Sequence, residues 1–180
     1  MRRLTLAAVL FLLPTLARAD VTAQQLARAL SGYENPVTEA RLKALGPGWD
    51  SAAEALLRDP ATRPILRPRA IAALGFARTS SAAATLRQVL STSGAATEGA
   101  QVIETREAIR SLVAVEGARA LPELKRYLDH VAVVVRLSSI DGLATVGGAK
   151  ARAALRERLV RESEAEVKDA LSAALKRVGD

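Results

Sequence analysis

The sequence predicts an all-α protein: a right-handed α-solenoid, or α-α superhelix, of about five helix pairs that follows a signal peptide. Hydrophobic residues make up 49% of the 180-residue chain, whereas aromatic residues make up only 3%. An apolar content dominated by Ala, Leu and Val favours closely packed helices over a sheet. A short apolar pattern also recurs about every 30 residues, which is typical of a repeat architecture.

The recurring pattern occurs five times, each time ending in a leucine or a Leu-Gly pair. Its anchor, the residue seven positions before that leucine, is Thr38, Arg67, Thr105, Arg136 and Lys168 in the successive copies. The anchors are separated by 29, 38, 31 and 32 positions. Positions −1, +3, +4 and +7 from each anchor are mostly apolar and fall on one side of a helix. We therefore predict that each copy is the second helix of a pair.

The first helices of the pairs are predicted between these copies, at 21–30, 48–57, 80–90, 117–128 and 148–161. The resulting domain, 20–180, contains repeats at about 21–46, 47–75, 80–115, 117–146 and 148–178. The longest interval contains 91–99, a small and polar stretch that indicates an enlarged loop. A pair of this size cannot bury its apolar stripe alone, so neighbouring pairs are expected to stack.

Several residues have the chemistry of helix ends. Asp20, Asp50 and Ser80 are candidate N-caps, because their side chains can accept hydrogen bonds from free backbone amides. Gly46, Gly75 and Gly147 are predicted at helix C-termini. Pro122 is tolerated only in the first turn of its helix or at a bend near it.

The first 19 residues have the features of a secretory signal peptide. Arg2 and Arg3 precede an almost wholly apolar run, 4–13, and Ala17-Arg18-Ala19 is a small-x-small cleavage motif. Cleavage before Asp20 is predicted, and an uncleaved membrane anchor is the alternative, although the apolar run is shorter than the roughly 20 residues that span a bilayer. We therefore expect an exported protein without an integral span, in the periplasm or fully secreted.

Charge and cysteine content narrow the function classes. The net charge of +7 includes three arginines of the leader, and the predicted mature chain has 23 Lys and Arg against 19 Asp and Glu, interspersed along the sequence. This pattern is weak support for a nucleic-acid partner, and none is predicted. The chain has no cysteine, which excludes both disulfides and lipid attachment to a cysteine at the cleavage site.

The second-helix pattern resembles the HEAT family, particularly its short repeats of the phycobilisome-lyase type, which read roughly Val-Arg-x-x-Ala-Ala-x-Ala-Leu-Gly. Residues 66–75 match nearly throughout, and 135–143 and 167–175 match at the main positions. In that family an Asp before the Val-Arg pair often bonds to the Arg of an adjacent repeat. The resemblance implies such roles for Asp59 and Asp129, and structural roles for Arg67 and Arg136.

The sequence contains little that indicates catalysis or a cofactor. Its one histidine, His130, is predicted to be a turn residue or a cap rather than a metal ligand. Iron hydroxylases built from HEAT repeats use His-Glu pairs, which are absent from this chain. Glu162, Glu164 and Glu166 are interpreted as acids at a helix N-terminus, with Arg161 and Lys168 as counter-charges, rather than as a catalytic pair or a divalent-cation site.

Neither a serine nucleophile elbow nor a phosphate-binding glycine loop occurs in the sequence. We predict no cofactor and no enzyme activity. Two activities found in proteins with similar repeats, a lyase-type enzyme and DNA glycosylases with basic concave faces, are the discounted alternatives.

The leading functional hypothesis is a scaffold or binding module of the cell envelope, which binds another protein or a peptide on a concave face. Lys43, Arg69 and Arg110 are the predicted contacts; positions +2 and +5 of the second helices also include Glu107 and Asp141. Trp49 is a further candidate contact, with packing between repeats as its alternative. The second hypothesis is an assembly or stability factor that acts through its end repeats. The oligomeric state stays open.

Overall fold

The computed structural model describes residues 19–32 and 36–179. Within these residues the chain forms ten α-helices and one 3-10 helix, and it contains no β-strand. The helices are α1 (Ala23–Leu30), α2 (Glu39–Leu45), α3 (Trp49–Arg58), α4 (Arg67–Leu74), α5 (Ser80–Ser93), α6 (Ala100–Glu116), α7 (Leu121–Tyr127), α8 (Val133–Val146), α9 (Gly148–Arg161) and α10 (Ala165–Val178), and the 3-10 helix Gly117–Ala120 leads into α7. The all-α prediction is confirmed.

The predicted leader falls almost wholly on residues 1–18, which lie outside the described residues. At the start of the described chain, the backbone amide of Val21 donates to the carbonyl of Pro47 at 2.8 Å. No helix in 19–32 or 36–179 is both long enough and apolar enough to cross a bilayer.

The predicted loop 91–99 is shorter in the structure, because α5 continues to Ser93 and α6 already begins at Ala100. Ser91 and Thr92 donate their hydroxyls to the carbonyl of Gln88 one turn earlier. The Ser93 hydroxyl is buried and donates to Glu104 at 3.1 Å. Each of these hydroxyl groups has a hydrogen-bond acceptor while its residue is helical. The small, polar residues 91–93 therefore do not terminate α5.

The three predicted N-caps were wrong by one or two residues. Thr22 caps α1 in a capping box with Gln25, Thr79 caps α5, and Gly48 precedes α3. Threonine hydroxyls accept the same amide hydrogen bonds as the predicted Asp20 and Ser80 side chains, so residue type alone does not choose between neighbours. The C-terminal glycines of α2, α4 and α8 are confirmed, and Pro122 lies in the first turn of α7.

The even-numbered helices α4, α6, α8 and α10 contact one another in that order. In the last four pairs, the odd-numbered helix of the pair also packs against its even-numbered partner. The first pair differs, because α1 and α2 both pack against α3. The longest helix, α6, is in contact with α4, α5, α8 and the 3-10 helix, and so it forms the centre of the packing.

Small residues allow the helices to approach closely. Ala70, Ala73 and Ala108 are fully buried on α4 and α6. A Cβ atom placed on Gly142 of α8 would lie 2.8 Å from Leu124 Cδ2 and 3.1 Å from Val113 Cγ2 of α6. Large side chains fill the remaining space and pack into one cluster that includes Leu74, Leu86, Ile109, Leu112, Leu143 and Leu171.

A buried ion pair connects the second and third pairs. Arg67, at the first position of α4, donates through Nε to Glu104 Oε1 at 2.8 Å and through Nη1 to the carbonyl of Leu57 at 3.1 Å. Ser93 donates to the second carboxylate oxygen of Glu104. The arginine therefore satisfies both a free carbonyl at the end of α3 and a buried carboxylate on α6.

A similar arrangement connects the fourth and fifth pairs. Arg136 of α8 donates to the carbonyls of His130 and Val131 at 2.8 and 2.9 Å, and its Nε lies 3.3 Å from Glu162 Oε2. Arg158 Nη2 lies 2.7 Å from the same carboxylate oxygen. The structural roles predicted for Arg67 and Arg136 are thus confirmed, with acids from the following pair as their partners.

The two acids predicted for inter-repeat bonds differ in outcome: the prediction was wrong for Asp59, whereas Asp129 does contact an arginine of the adjacent pair, Arg158. Asp59 Oδ1 accepts the backbone amide of Ala61 at 2.8 Å, and Asp129 lies 3.4 Å from Arg158 Nε. Asp59 lies in a loop where a short-range backbone donor is closer, whereas Asp129 lies within ion-pair distance of Arg158 and Arg161 of α9. The acids that contact the two anchor arginines, Glu104 and Glu162, are brought there by the packing of the next pair.

Glu162 also differs from its prediction as part of an acidic helix terminus. It is buried beside Arg136 and Arg158, whereas Glu164 and Glu166 do occupy the N-terminal end of α10. Burial disfavours the charged carboxylate, but the amides of Ser163 and Glu164 and the two arginines outweigh it and hold the pKa of Glu162 below its ordinary value. This carboxylate stays charged at neutral pH.

We expect Glu162→Gln to destabilise the fold at pH 7 and to weaken its sensitivity to acid. Because the pKa of Glu162 is lower in the folded state, its stabilising contribution is present above the unfolded pKa and is lost as pH falls through the folded pKa. Urea unfolding of both proteins from pH 7 to pH 3 measures this contribution. Glu157→Gln, at an exposed acid on α9, is the matched control, and an equal acid response in E162Q and the unmodified protein would contradict the assignment.

Candidate functional site

Positions −2, +1 and +5 of each copy lie on the side of the even-numbered helices that faces away from the core. At about 100° per residue these three positions fall within about 60° of one another, opposite the apolar positions −1, +3, +4 and +7. Packing of the successive even-numbered helices brings these outward sides together. The result, called here the exposed face, is formed by α4, α6 and α8.

An apolar row lies along one edge of the exposed face. Position −2 is Ile65 just before α4, Ile103 on α6 and Val134 on α8, and these side chains are 60%, 48% and 44% exposed. Branched aliphatic side chains are usually buried. Three of them at the same position of consecutive copies, all open to solvent, therefore indicate a surface for contact with another molecule.

A groove of about 260 Å³ lies at the surface between the packed helices α6 and α8. It is lined by Arg106, Arg110, Val134, Leu137, Ser138 and Asp141. Two arginines form the α6 wall, and Val134 and Leu137 contribute the apolar part of the α8 wall. This set of residues is called the α6–α8 groove below.

The arginines of the α6–α8 groove are weakly neutralised. Arg110 is exposed and lies 3.9 Å from Glu107, at the limit of an ion pair. Arg106 makes no ion pair or side-chain hydrogen bond with any residue that the structure describes, and its Nε is shielded from solvent without an acceptor. At the far end Asp141 is paired with Arg177 at 2.7 Å. The α6 wall is therefore positively charged.

A second groove of about 330 Å³ lies on the other side of α6, between α4 and α6. Its lining includes Val37, Ala72, Phe76, Glu107 and Arg110. Arg110 thus lines both grooves. Because Glu107 is part of this second groove, its wall is of mixed charge rather than basic.

The structure brings together only some of the predicted contact residues. Arg110, Glu107 and Asp141 line the two grooves beside α6. Lys43 is exposed on α2 and pairs with Glu39 at 2.7 Å, and Arg69 is half-buried on α4. Trp49 is half-buried at the start of α3 and packs against the core. Lys43, Arg69 and Trp49 line neither groove.

Three residues of the α6–α8 groove, Arg106, Leu137 and Val134, lie outside positions +2 and +5 and were not predicted. Arg106 and Leu137 occupy position +1, and Val134 occupies position −2. Helical geometry places both positions opposite the core, so the sequence did contain the signal. The sequence could not predict that an arginine of one helix lies opposite apolar side chains of the next, because this arrangement depends on which helices are neighbours.

His130 lies in the turn before α8, and its Nδ1 accepts the backbone amide of Ala132 at 3.0 Å. The prediction that it is a turn or capping residue is confirmed. Among the described residues, no three or more His, Cys, Asp and Glu side chains gather closely enough to hold a metal ion.

Two other cavities lie away from the exposed face. One of about 530 Å³ lies between the turn that leads into α7 and the turn between α8 and α9, and its lining is mostly apolar with Arg119 and Lys150. The other, of about 420 Å³, is lined by Arg152, Arg156, Leu175, Lys176 and Gly179 at the last pair. The last pair thus presents a basic end surface.

We expect substitution of an arginine that pairs with a buried glutamate to cost much more stability than substitution of an arginine in the α6–α8 groove. Arg67→Ala leaves Glu104 buried without its cation, which costs about 3 kcal/mol of folding free energy. Arg106→Ala and Arg110→Ala remove groove side chains and change stability by about 0.5 kcal/mol or less. Urea denaturation of the three variants measures the difference, and a loss in R106A as large as that in R67A would show that Arg106 is structural.

No protein-family model matches this chain, and neither a curated protein nor a solved structure matches it. The exposed face is therefore interpreted from its own residues.

Proposed function

We propose that this chain is a HEAT-like α-solenoid that acts as a binding module, and that it holds another polypeptide on the exposed face of α4, α6 and α8. Two features support the solenoid. The second helices of the last four pairs contact one another in chain order, and the first helix of each of these pairs packs against its partner. The anchor arginines of two copies also form ion pairs with acids of the following pair, Arg67 with Glu104 and Arg136 with Glu162.

The observation that carries the binding function is the juxtaposition of exposed apolar side chains with weakly neutralised arginines on one face. Isolated exposed apolar residues are common on protein surfaces. A row of three next to the basic wall of a groove is the composition of a binding surface, because apolar contact supplies affinity and charge supplies specificity.

The proposed place of action is the cell envelope, after removal of the leader. Support comes from the N-terminal charge, the apolar run and the cleavage motif. Because the chain has no cysteine, the fold does not depend on the redox state of its compartment.

An assembly factor that acts through its end repeats is the second candidate, supported by the basic surface of the last pair. Removal of 162–180 would not test it, because the deleted part includes buried Glu162, Val167 and Leu171. Charge reversal at exposed Lys176, which lines this surface, tests this candidate without opening the core or altering the α6–α8 groove.

The test of the binding function is selection of a random peptide library displayed on phage against the purified protein. We expect enriched peptides whose binding is lost with Ser138→Trp, because the indole fills the α6–α8 groove without changing its charge. Isothermal titration calorimetry with synthetic copies of the enriched peptides measures the loss.

The matched control is Gln88→Trp, which places the same side chain on the exposed surface of α5. It should leave affinity within about twofold, since surface changes away from a site have small effects. Enrichment of no peptide, or peptides that bind S138W as well as the unmodified protein, would overturn the proposed function. Circular dichroism confirms that both variants keep their helix content.

A further inference from the structure

We propose that the α6–α8 groove binds an extended peptide segment in which acidic and apolar residues alternate. This inference rests on the proposed function and specifies the chemistry of the partner. It follows from three properties of the groove: the difference between its two walls, the spacing of its arginines and the absence of a partner for Arg106 among the described residues.

The two walls of the groove differ in character. The α6 wall is formed by Arg106 and Arg110, and the opposite wall contains Val134 and Leu137 from α8. The Ser138 hydroxyl between them donates to its own helix, to the carbonyl of Val134 at 3.0 Å. Because successive side chains of an extended chain point to opposite sides, a peptide lying along the groove directs every second residue to each wall. Acids then face α6 while apolar residues face α8.

The spacing of the arginines fits this arrangement. Arg106 and Arg110 are four positions apart, so their Cα atoms are separated by about 6 Å along the helix axis. Residues i and i+2 of an extended chain are about 6.7 Å apart. Two acids separated by one residue can therefore each reach one arginine, and the residue between them faces Val134 and Leu137.

The state of Arg106 favours an anionic partner. Its Nε is shielded from solvent without an acceptor, although the side chain remains half-exposed in the groove. Because no described residue forms an ion pair or side-chain hydrogen bond with Arg106, an anion that enters the groove meets an arginine whose charge is not already compensated. A carboxylate also forms the strongest hydrogen bonds available to a guanidinium group. Asp141 does not compete for this arginine, because it is paired with Arg177.

A peptide fits the groove better than a nucleic acid does. A single-stranded nucleic acid needs a track of cations with aromatic side chains on which its bases stack. The α6–α8 groove contains two arginines, an acid and no aromatic side chain. The short apolar wall suits aliphatic side chains.

The test uses three labelled peptides, each flanked by Gly-Ser, and fluorescence anisotropy with the purified protein. The first has a core of Glu-Val repeated three times, the second has the same residues with the three glutamates contiguous, and the third has Gln in place of Glu. We expect the first to bind at least about tenfold more tightly than the other two, and more weakly as salt is added.

Protein variants locate the site. Arg106→Ala and Arg110→Ala should each weaken binding of the alternating peptide about tenfold, since each removes a charged hydrogen bond. Val134→Glu should abolish binding by placing an acid on the apolar wall. Arg119→Ala, at an exposed arginine that lines a different cavity, is the matched control and should leave affinity unchanged.

Three results would overturn the inference: equal binding of the alternating and rearranged peptides, unchanged affinity in the R106A and R110A double variant, or tighter binding of a labelled ten-residue oligothymidylate. The peptides selected by display distinguish failure of this inference from failure of the proposed binding function. If the peptides selected by display bind the unmodified protein but not the Ser138→Trp variant, only the alternating acidic pattern is wrong. If they also fail to bind, both proposals fall.

Discussion

The structure depends on the simultaneous packing of α6 against α4, α5 and α8. None of these short helices could bury its apolar stripe alone, and the burial of Ala108, Ile109 and Leu112 requires neighbours on several sides. Small residues at the contacts, such as Gly142 on α8, let the helices approach closely enough for the leucines to interdigitate. Once α6 is enclosed in this way, no other helix of the described residues covers its remaining side, which forms the centre of the exposed face.

The ion pairs of Arg67 with Glu104 and of Arg136 with Glu162 favour one register of this apolar packing. Buried ion pairs contribute little net stability compared with apolar contacts, because desolvation opposes their attraction. Their loss is nevertheless costly, and the arginines here also donate to backbone carbonyls, Arg67 to one at the end of α3 and Arg136 to two in the turn before α8. Arg67 and Arg136 therefore disfavour other registers between neighbouring pairs, in which these carboxylates and carbonyls would be buried without partners.

The contrast between the arginines on α4, α6 and α8 connects the fold with the proposed function. Arg67 and Arg136 are held by buried glutamates, whereas Arg106 lies one position beyond the anchor of its copy and turns outward. A shift of one residue along a helix changes the direction of a side chain by about 100°. This rotation separates an arginine that stabilises the stack from one that is available to a partner.

The sequence by itself determined the helices and their order, because helix formation and amphipathic periodicity are local properties. It also determined which sides of the even-numbered helices face the core. Only the tertiary structure decided the partners of Arg67 and Arg136, since Glu104 and Glu162 reach them from the next pair. The tertiary structure likewise decided that Arg106 faces Val134 and Leu137. A groove between α6 and α8 exists only when both helices bury their apolar sides in the core and so lie next to each other.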